Sequence, residues 1–382
     1  MRAAAVSFQR LEVQAFGGPD VIQWVQDETL PEPGTGEVRI RVEASSLVFT
    51  DMLIRRNLYP VLKLTLPLTL GYDFVGRIDR IGPGVTRWRV GDRVADLIQL
   101  GGNATHLVRP AASLVAVPQG LEATQVEPLI LSYMTAYQAL FREGGAKAGD
   151  AVLICGASGA VGLAALDLCR AFGVRAVGVA SAKREQVVTR MGAAFVAYDQ
   201  VGSGLRLDRW SRGLGGFAVV LDAARGEALS SLMARLAPAG RLVVAGFTAA
   251  LRAGQGAGKW RGLMAKLGLG FDFVRIKSMS SMPFVSQRVV FYDVSGQRAE
   301  HPEHFQDDLT MLLSLLEAGR IAPRVQRVFG LDEAIEAHRL IETGQVEGRI
   351  VLDLTRPVAR HPEQRHRPGV PARAALETHA AG

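Results

Sequence analysis

From residue 38 to residue 44 apolar and charged side chains alternate, with Val38, Ile40, Val42 and Ala44 set against Arg39, Arg41 and Glu43. That period of two belongs to a strand with one buried face. Turn-forming clusters punctuate the first 130 residues, at Gly17-Gly18-Pro19, Pro31-Glu32-Pro33-Gly34, Gly82-Pro83-Gly84, Gly91-Asp92 and Gly101-Gly102-Asn103. Short strands between such turns predict an antiparallel, barrel-like domain. The pattern changes near Glu127-Pro128. Beyond it Ala151–Cys155, Arg175–Ala180, Phe217–Leu221 and Arg241–Ala245 are apolar runs without alternation, as in strands covered on both faces. Val161, Ala165, Leu168 and Phe172 recur between the first two runs at helical spacing. Repeated β-α units predict a doubly wound parallel sheet.

Residues 250–305 break this rhythm: a basic, glycine-rich stretch leads into an apolar one containing Leu263, Leu267, Leu269, Phe271 and Phe273. A helix is then predicted from about Asp307 to Ala318, with Leu309, Leu312, Leu313 and Leu316 on one face. A strand at Val325–Phe329, a helix over Asp332–Thr343 and a strand at Arg349–Leu354 follow. From Thr355 onward prolines, arginines and small residues cannot bury a core, and a disordered tail is expected over 355–382.

Composition narrows the class. A chain of 382 residues with 48% hydrophobic and 21% charged residues suits two or three globular domains. No apolar run reaches the roughly 20 residues of a membrane-spanning helix, and the first residues lack a signal peptide's apolar stretch. The two cysteines, Cys155 and Cys169, exclude a disulfide framework and a multi-cysteine zinc module. A cytoplasmic protein is expected. The net charge of +7 would suit an anionic ligand such as a phosphorylated cofactor, although an arginine-rich composition that simply makes the chain basic is the favoured reading. Outside the tail there is no long basic run, so nucleic acid is disfavoured as a partner.

The chemistry concentrates at Ala151-Val152-Leu153-Ile154-Cys155-Gly156-Ala157-Ser158-Gly159-Ala160-Val161-Gly162-Leu163. An apolar strand runs into a glycine-rich turn and then opens a helix, the setting of a dinucleotide fingerprint. Gly159 would admit a pyrophosphate close to the backbone at the helix N-terminus, and Gly162 would let helix and strand pack closely. Ala157 replaces the first glycine of the G-x-G-x-x-G form. The next apolar run ends in Ser181-Ala182-Lys183-Arg184, where an NAD site usually carries an acid. A hydroxyl and two cations suit a 2′-phosphate instead, so NADPH is the expected cofactor.

The glycine string, together with Gly71-Tyr72-Asp73-Phe74-Val75-Gly76, Val90-Gly91-Asp92-Arg93-Val94 and Thr135-Ala136-Tyr137, resembles the medium-chain dehydrogenase/reductase superfamily. Phe49-Thr50-Asp51, Asn57-Leu58-Tyr59-Pro60 and Leu236–Val243 are similar to its quinone oxidoreductase-like branch. The resemblance covers roughly residues 10 to 354. It implies an α/β fold with a GroES-like β-barrel catalytic domain at 1–130 and 320–354. A Rossmann domain of doubly wound parallel sheet would occupy 131–319 and carry the insert at 250–305, with the active site in the cleft between the two.

Zinc-dependent members place a cysteine, a His-Glu pair and a four-cysteine lobe where this chain has Val48, Tyr72-Asp73 and the cysteine-free stretch Ala95–Val108. No catalytic zinc is expected. The zinc-free relatives are reductases, which implies hydride transfer from NADPH to a quinone or an α,β-unsaturated carbonyl compound. Tyr59 matches a tyrosine beside the nicotinamide and is expected to wall and orient the pocket. Val48 stands where quinone oxidoreductase relatives carry asparagine, a departure that puts turnover in question. Asp51 and Arg55 read equally as a structural ion pair and as ligand contacts.

The resemblance also assigns Ser132 and Thr135 to the nicotinamide end and Tyr198 to the adenine side. Gly246 and Phe247 would face the nicotinamide, and Arg349 would lie near the cofactor phosphates. For Ser132 and Thr135 helix-start capping is the bland alternative. The insert is similar to that of vesicle amine transport protein homologues in the same branch. An apolar cleft wall is its favoured role, ahead of a membrane-surface contact. The family implies a homodimer. Two other functions remain open: an NADPH-binding sensor or interaction protein with little turnover, as zeta-crystallin is reported to be, and an enoyl-thioester reductase.

Overall fold

The computed structural model describes residues 8–59, 64–224, 226–245, 288–356 and 365–366. The alternating segment forms β3 in a run of strands β1 (Phe8–Val13), β2 (Ile22–Asp27) and β3 (Glu37–Leu47). Val38, Ile40, Val42 and Ala44 are buried on one face of β3, while Arg41 is exposed. Arg39 is buried against expectation because its Nε donates to Asp79 at 2.9 Å. A short helix α1 (Phe49–Arg55) follows, then β4 (Leu68–Thr69), β5 (Asp73–Ile81), β6 (Arg93–Leu97), β7 (His106–Pro110) and β8 (Val115–Ala116). β3 pairs antiparallel with both β5 and β7, which closes the barrel-like part.

A helical rod then crosses to the second half of the molecule. It runs as α2 (Ala123–Pro128), a wide π-helical stretch at Leu129–Tyr133, α3 (Met134–Tyr137) and a second π-helical stretch at Gln138–Glu143. Leu129, Ile130, Met134, Ala136, Ala139 and Leu140 are fully buried, and one hydrophobic core continues from the barrel strands through this rod.

The four apolar runs become β9 (Ala151–Cys155), β10 (Arg175–Ala180), and, after β11 (Ala194–Ala197), β12 (Phe217–Asp222) and β13 (Leu236–Val244). With β14 (Val289–Phe291) they form a six-stranded sheet in the order β11-β10-β9-β12-β13-β14. Every pairing in it is parallel. Numbered within the sheet this is 3-2-1-4-5-6, the Rossmann order, and its switch point lies between β9 and β12. Helix α4 (Ala160–Phe172) covers β9.

The insert expected at 250–305 is only partly described. Residues 288–305 supply the sixth strand, the helix Val294–Glu300 and the start of the helix Pro302–Glu317, which begins earlier than the leucine pattern indicates. Val289, Val290 and Phe291 pair with Leu242, Val243 and Val244 in the sheet, and Phe291, Tyr292 and Val294 also line the cleft described below. Residues 250–287, with most of the apolar stretch, lie outside the described residues.

The chain then returns to the first sheet. β15 (Val325–Phe329) pairs with β16 (Arg349–Asp353), and β16 pairs antiparallel with β3. Of the tail expected to be disordered, β17 (Arg365–His366) adds a parallel strand to β2, whose open backbone edge accepts it. Residues 357–364 and 367–382 lie outside the described residues. Among the described residues no helix is long and apolar enough to cross a membrane.

Candidate active-site cleft

A cleft of about 1180 Å³ lies between the C-terminal ends of β9, β10 and β12 and the barrel strands. Its floor is the glycine-rich turn. Gly156 takes the left-handed conformation, φ +83°, that turns the chain out of β9, a role read from the sequence at the Ala157 position. Ala157 is fully buried and does not line the cleft; Ser158, Gly159, Ala160, Val161 and Gly162 do. A Cβ on Gly162 would sit 2.2 Å from the Gly156 carbonyl oxygen, so only glycine lets α4 approach the turn this closely. Gly159 is the N-cap of α4 and offers no side-chain cap, which leaves the first-turn amides for an anionic ligand.

Ser181, Lys183, Arg184 and Tyr198 line the same end. Lys183 is exposed and makes no salt bridge among the described residues. Arg184 is engaged across the cleft: Nη1 donates to Glu347, and Nη2 donates to the Gln345 carbonyl at 2.7 Å. A backbone bridge between Gly159 and Gly348 lays the same loop against the glycine-rich turn.

At the other end Tyr59 and Tyr72 meet, their hydroxyls 3.2 Å apart. The Tyr72 hydroxyl also lies 2.9 Å from Ser295 Oγ and accepts from Gln99 Nε2 at 3.5 Å. Ser295 follows β14, so this chain of hydroxyls ties the two halves of the molecule together. Burial raises both phenols above their ordinary range, with Tyr72 adding to the effect on Tyr59. Both therefore stay protonated and able to donate at any working pH. Val48 lines the cleft beside them; its backbone amide donates to Asp51 at 2.8 Å.

Asp51 also accepts from the Gly71 amide at 3.3 Å, and desolvation raises its carboxyl to about 7. Arg55 donates to the Gly17 carbonyl and to Glu342. Asp51 and Arg55 thus do not pair with each other: α1 carries the first back onto its own N-terminus and the second toward the helix Ala334–Glu342.

Arg349, Ser132 and Thr135 line the cleft, and all three are buried. Ser132 and Thr135 lie in the interior of the helical rod, which rules out capping a helix start. The Arg349 guanidinium, expected near phosphates, is taken up by protein groups. Nη2 donates to Glu127 at 2.6 Å and to Asp73 at 2.7 Å, and Nη1 donates to Ser132 Oγ at 3.2 Å. Its role here is to hold Ser132 and to neutralise the buried Glu127 carboxylate, with Asp73 as a further acceptor. Asp73 is held well above the carboxylate range by burial and by the adjacent Glu127 charge. Sequence reasoning missed Glu127, which it used only as a boundary marker; a carboxylate directly before Pro128 and inside an apolar stretch was the available signal. Asp222, at the end of β12, fixes the following loop by accepting from the Ala224 amide at 3.3 Å. Gly246 and Phe247 lie outside the described residues.

The positions of a catalytic zinc site do not fit that ion. Val48 has no donor atom, the Tyr72 hydroxyl is bound to Tyr59 and Ser295, and Asp73 is bound to Arg349. One group of metal-ligating types does come together among the described residues: His301, Glu303 and His304, with ligand atoms within 4.8 Å of one another. It is partly exposed at the start of a helix, and none of its members lines the cleft.

Comparison with known proteins agrees with this architecture. Residues 34–119 match the family described as alcohol dehydrogenase GroES-like domain, and residues 191–352 match the family described as zinc-binding dehydrogenase. A synaptic vesicle membrane protein VAT-1 homolog of Rattus norvegicus is 29% identical over 345 residues, 90% of this chain and 83% of that one. A quinone oxidoreductase of the same organism is 28% identical, covering 90% of this chain and 96% of its own. The crystal structure of human synaptic vesicle membrane protein VAT-1 homolog-like protein superposes with a TM-score of 0.72 at 21% identity, over 92% of this chain and 100% of that one.

Proposed function

The chain belongs to the medium-chain dehydrogenase/reductase superfamily, and on that premise we propose that it is a zinc-independent, NADPH-dependent reductase of quinones or α,β-unsaturated carbonyl compounds. It is an oxidoreductase related to quinone oxidoreductases. The observation that carries the finer reading is the Tyr59–Tyr72 pair beside Val48, a hydroxyl arrangement next to a side chain with no metal-ligating atom in the same cleft as the glycine-rich turn. An apolar wall with one hydroxyl donor suits an acceptor whose carbon takes hydride while its oxygen gains charge.

In this reading the turn Gly156–Gly162 and the first-turn amides of α4 hold the cofactor's pyrophosphate. Ser181, Lys183 and Arg184 hold the 2′-phosphate, with Tyr198 at the adenine. Ser132 and Thr135 border the nicotinamide, and Arg349 fixes Ser132 from behind. Bound NADPH supplies the hydride. Tyr59 Oη donates a hydrogen bond to the acceptor oxygen as negative charge grows there, and Tyr72 keeps the Tyr59 hydroxyl in place. The raised Tyr59 phenol makes it a donor and orienter rather than the obligatory acid, and water then protonates the enolate or the hydroquinone monoanion left by hydride addition. Val48 and Leu58 exclude water from the reacting carbon.

The test is consumption of NADPH and of NADH by the purified chain, with 9,10-phenanthrenequinone, 1,4-benzoquinone and a medium-chain enone as acceptors. Turnover with NADPH on one of these classes is expected. Tight NADPH binding with no turnover on any of them would replace this reading with that of a cofactor-binding sensor.

A further inference from the structure

The cation placed to meet a 2′-phosphate already has an anionic partner from the opposite half of the molecule. Arg184 follows β10 of the parallel sheet, whereas Glu347 stands just before β16 of the barrel sheet. Arg184 Nη1 is paired with Glu347 Oε1, and the same guanidinium donates through Nη2 to the Gln345 carbonyl at 2.7 Å. The two side chains are only 12% and 26% exposed, so water screens the pair incompletely.

Glu347 is itself held in place. Its other oxygen lies 3.1 Å from Arg324 Nη2, and its backbone amide donates to Gln326 Oε1 at 2.5 Å. The Gly159–Gly348 bridge anchors the following residue against the pyrophosphate turn. One carboxylate thus sits between two arginines, one facing the cleft and one facing away from it.

We propose that Glu347 sets the cofactor selectivity of this cleft by competing with the 2′-phosphate for Arg184. The inference rests on the NADPH reading above and adds a residue that the cofactor motif itself does not contain. A dianionic phosphate draws Arg184 from Glu347, and Arg324 keeps the released carboxylate paired. An unphosphorylated cofactor has no group with which to make that exchange, so the pair stays closed over it. Glu347 therefore lowers the affinity for phosphorylated ligands alone, and Arg324 offsets part of that penalty.

The experiment is calorimetric titration of the whole chain with 2′-phospho-ADP-ribose, ADP-ribose, NADPH and NADH, which needs no substrate. Glu347→Gln is expected to tighten the two phosphorylated ligands about threefold to fivefold, the range of one partly exposed ion pair, and to leave the others unchanged. Arg324→Gln is expected to move the phosphorylated ligands the opposite way, because Glu347 then holds Arg184 more firmly. Arg324 is surface-exposed, so this variant carries the test if Glu347→Gln proves unstable. Equal changes for phosphorylated and unphosphorylated ligands, or none in either variant, would overturn the inference. A wild-type chain that binds both kinds equally would overturn the NADPH reading itself, an outcome visible before any variant is made.

Discussion

Arg349 and Glu127 lie 222 positions apart in the chain and meet in a buried two-pronged pair, with Arg349 Nη2 2.6 Å from one carboxylate oxygen and Nε 3.2 Å from both. The pair joins β16 to the helical rod and sits directly behind Ser132 at the cleft.

Both partners are fully desolvated, so removing one leaves an uncompensated charge in the interior. Arg349→Met is expected to destabilise the chain by about 3–5 kcal/mol. Glu127→Gln should cost less, because Asp73, relieved of the Glu127 charge, can ionise in its place and neutralise the guanidinium. Urea unfolding of the three proteins measures both, and equal midpoints for Arg349→Met and wild type would refute the buried-charge assignment.

Gly162→Ala places a Cβ 2.2 Å from the Gly156 carbonyl oxygen and 2.6 Å from Ala157 Cα, and both contacts are backbone. The turn has to move. A loss of about 1–3 kcal/mol in stability is expected, together with a loss of cofactor binding that exceeds it in consequence. Gly213→Ala, where an added Cβ meets nothing within 4 Å, is the matched control. Thermal melting and cofactor titration of the pair decide it.

Tyr59→Phe removes one neutral hydrogen-bond donor from the substrate end and leaves the ring wall intact. A fall of about fivefold in kcat/KM is expected, with NADPH affinity unchanged. Tyr72→Phe should give a smaller fall, because Tyr59 keeps its hydroxyl but loses its tether. Because the phenol stays protonated throughout, neither variant should shift the pH profile between 6 and 9; a shifted profile would make Tyr59 an acid in the reaction.

His338 is fully buried, and among the described residues neither ring nitrogen has a hydrogen-bond partner. Desolvation, helped by the Arg55 charge, lowers its imidazolium to about 3 from the ordinary 6.5. The sign follows from linkage. A depressed folded value means stability that is present above pH 6.5 and is lost as the unfolded chain takes up a proton the folded chain refuses. Between pH 6 and pH 4 this amounts to about 1.4 kcal/mol per pH unit. Replacing His338 with Leu, measured by urea unfolding across that range, should flatten the acid limb; an unchanged slope would mean that the imidazole is protonated in the folded chain.

The sheet of the cofactor half was the most legible part of the sequence. Ala151–Cys155 and Arg175–Ala180 were readable to the residue because buried parallel strands are written as uninterrupted apolar runs. β14 escaped because Val289–Phe291 is three residues long and sits in a stretch whose composition reads as an insert. The π-helical rod escaped because a widened turn leaves no period of its own in the sequence. At the site, motif order was enough to bring Tyr59, Ser132, Thr135 and the glycine turn to one cleft. The partners that give those residues their chemistry were not legible. Tyr72 with Ser295 and Arg184 with Glu347 are contacts between the two halves of the fold, Arg349 and Glu127 meet across 222 positions of chain, and no local pattern encodes them.

The central claim is reduction by NADPH without a metal, and its most direct test is turnover after exhaustive dialysis against a chelator. The initial rate with 9,10-phenanthrenequinone would be followed with NADPH and with NADH, before and after dialysis. Retained activity with a preference for NADPH is the predicted result. Activity that vanishes on dialysis and returns with zinc would contradict it.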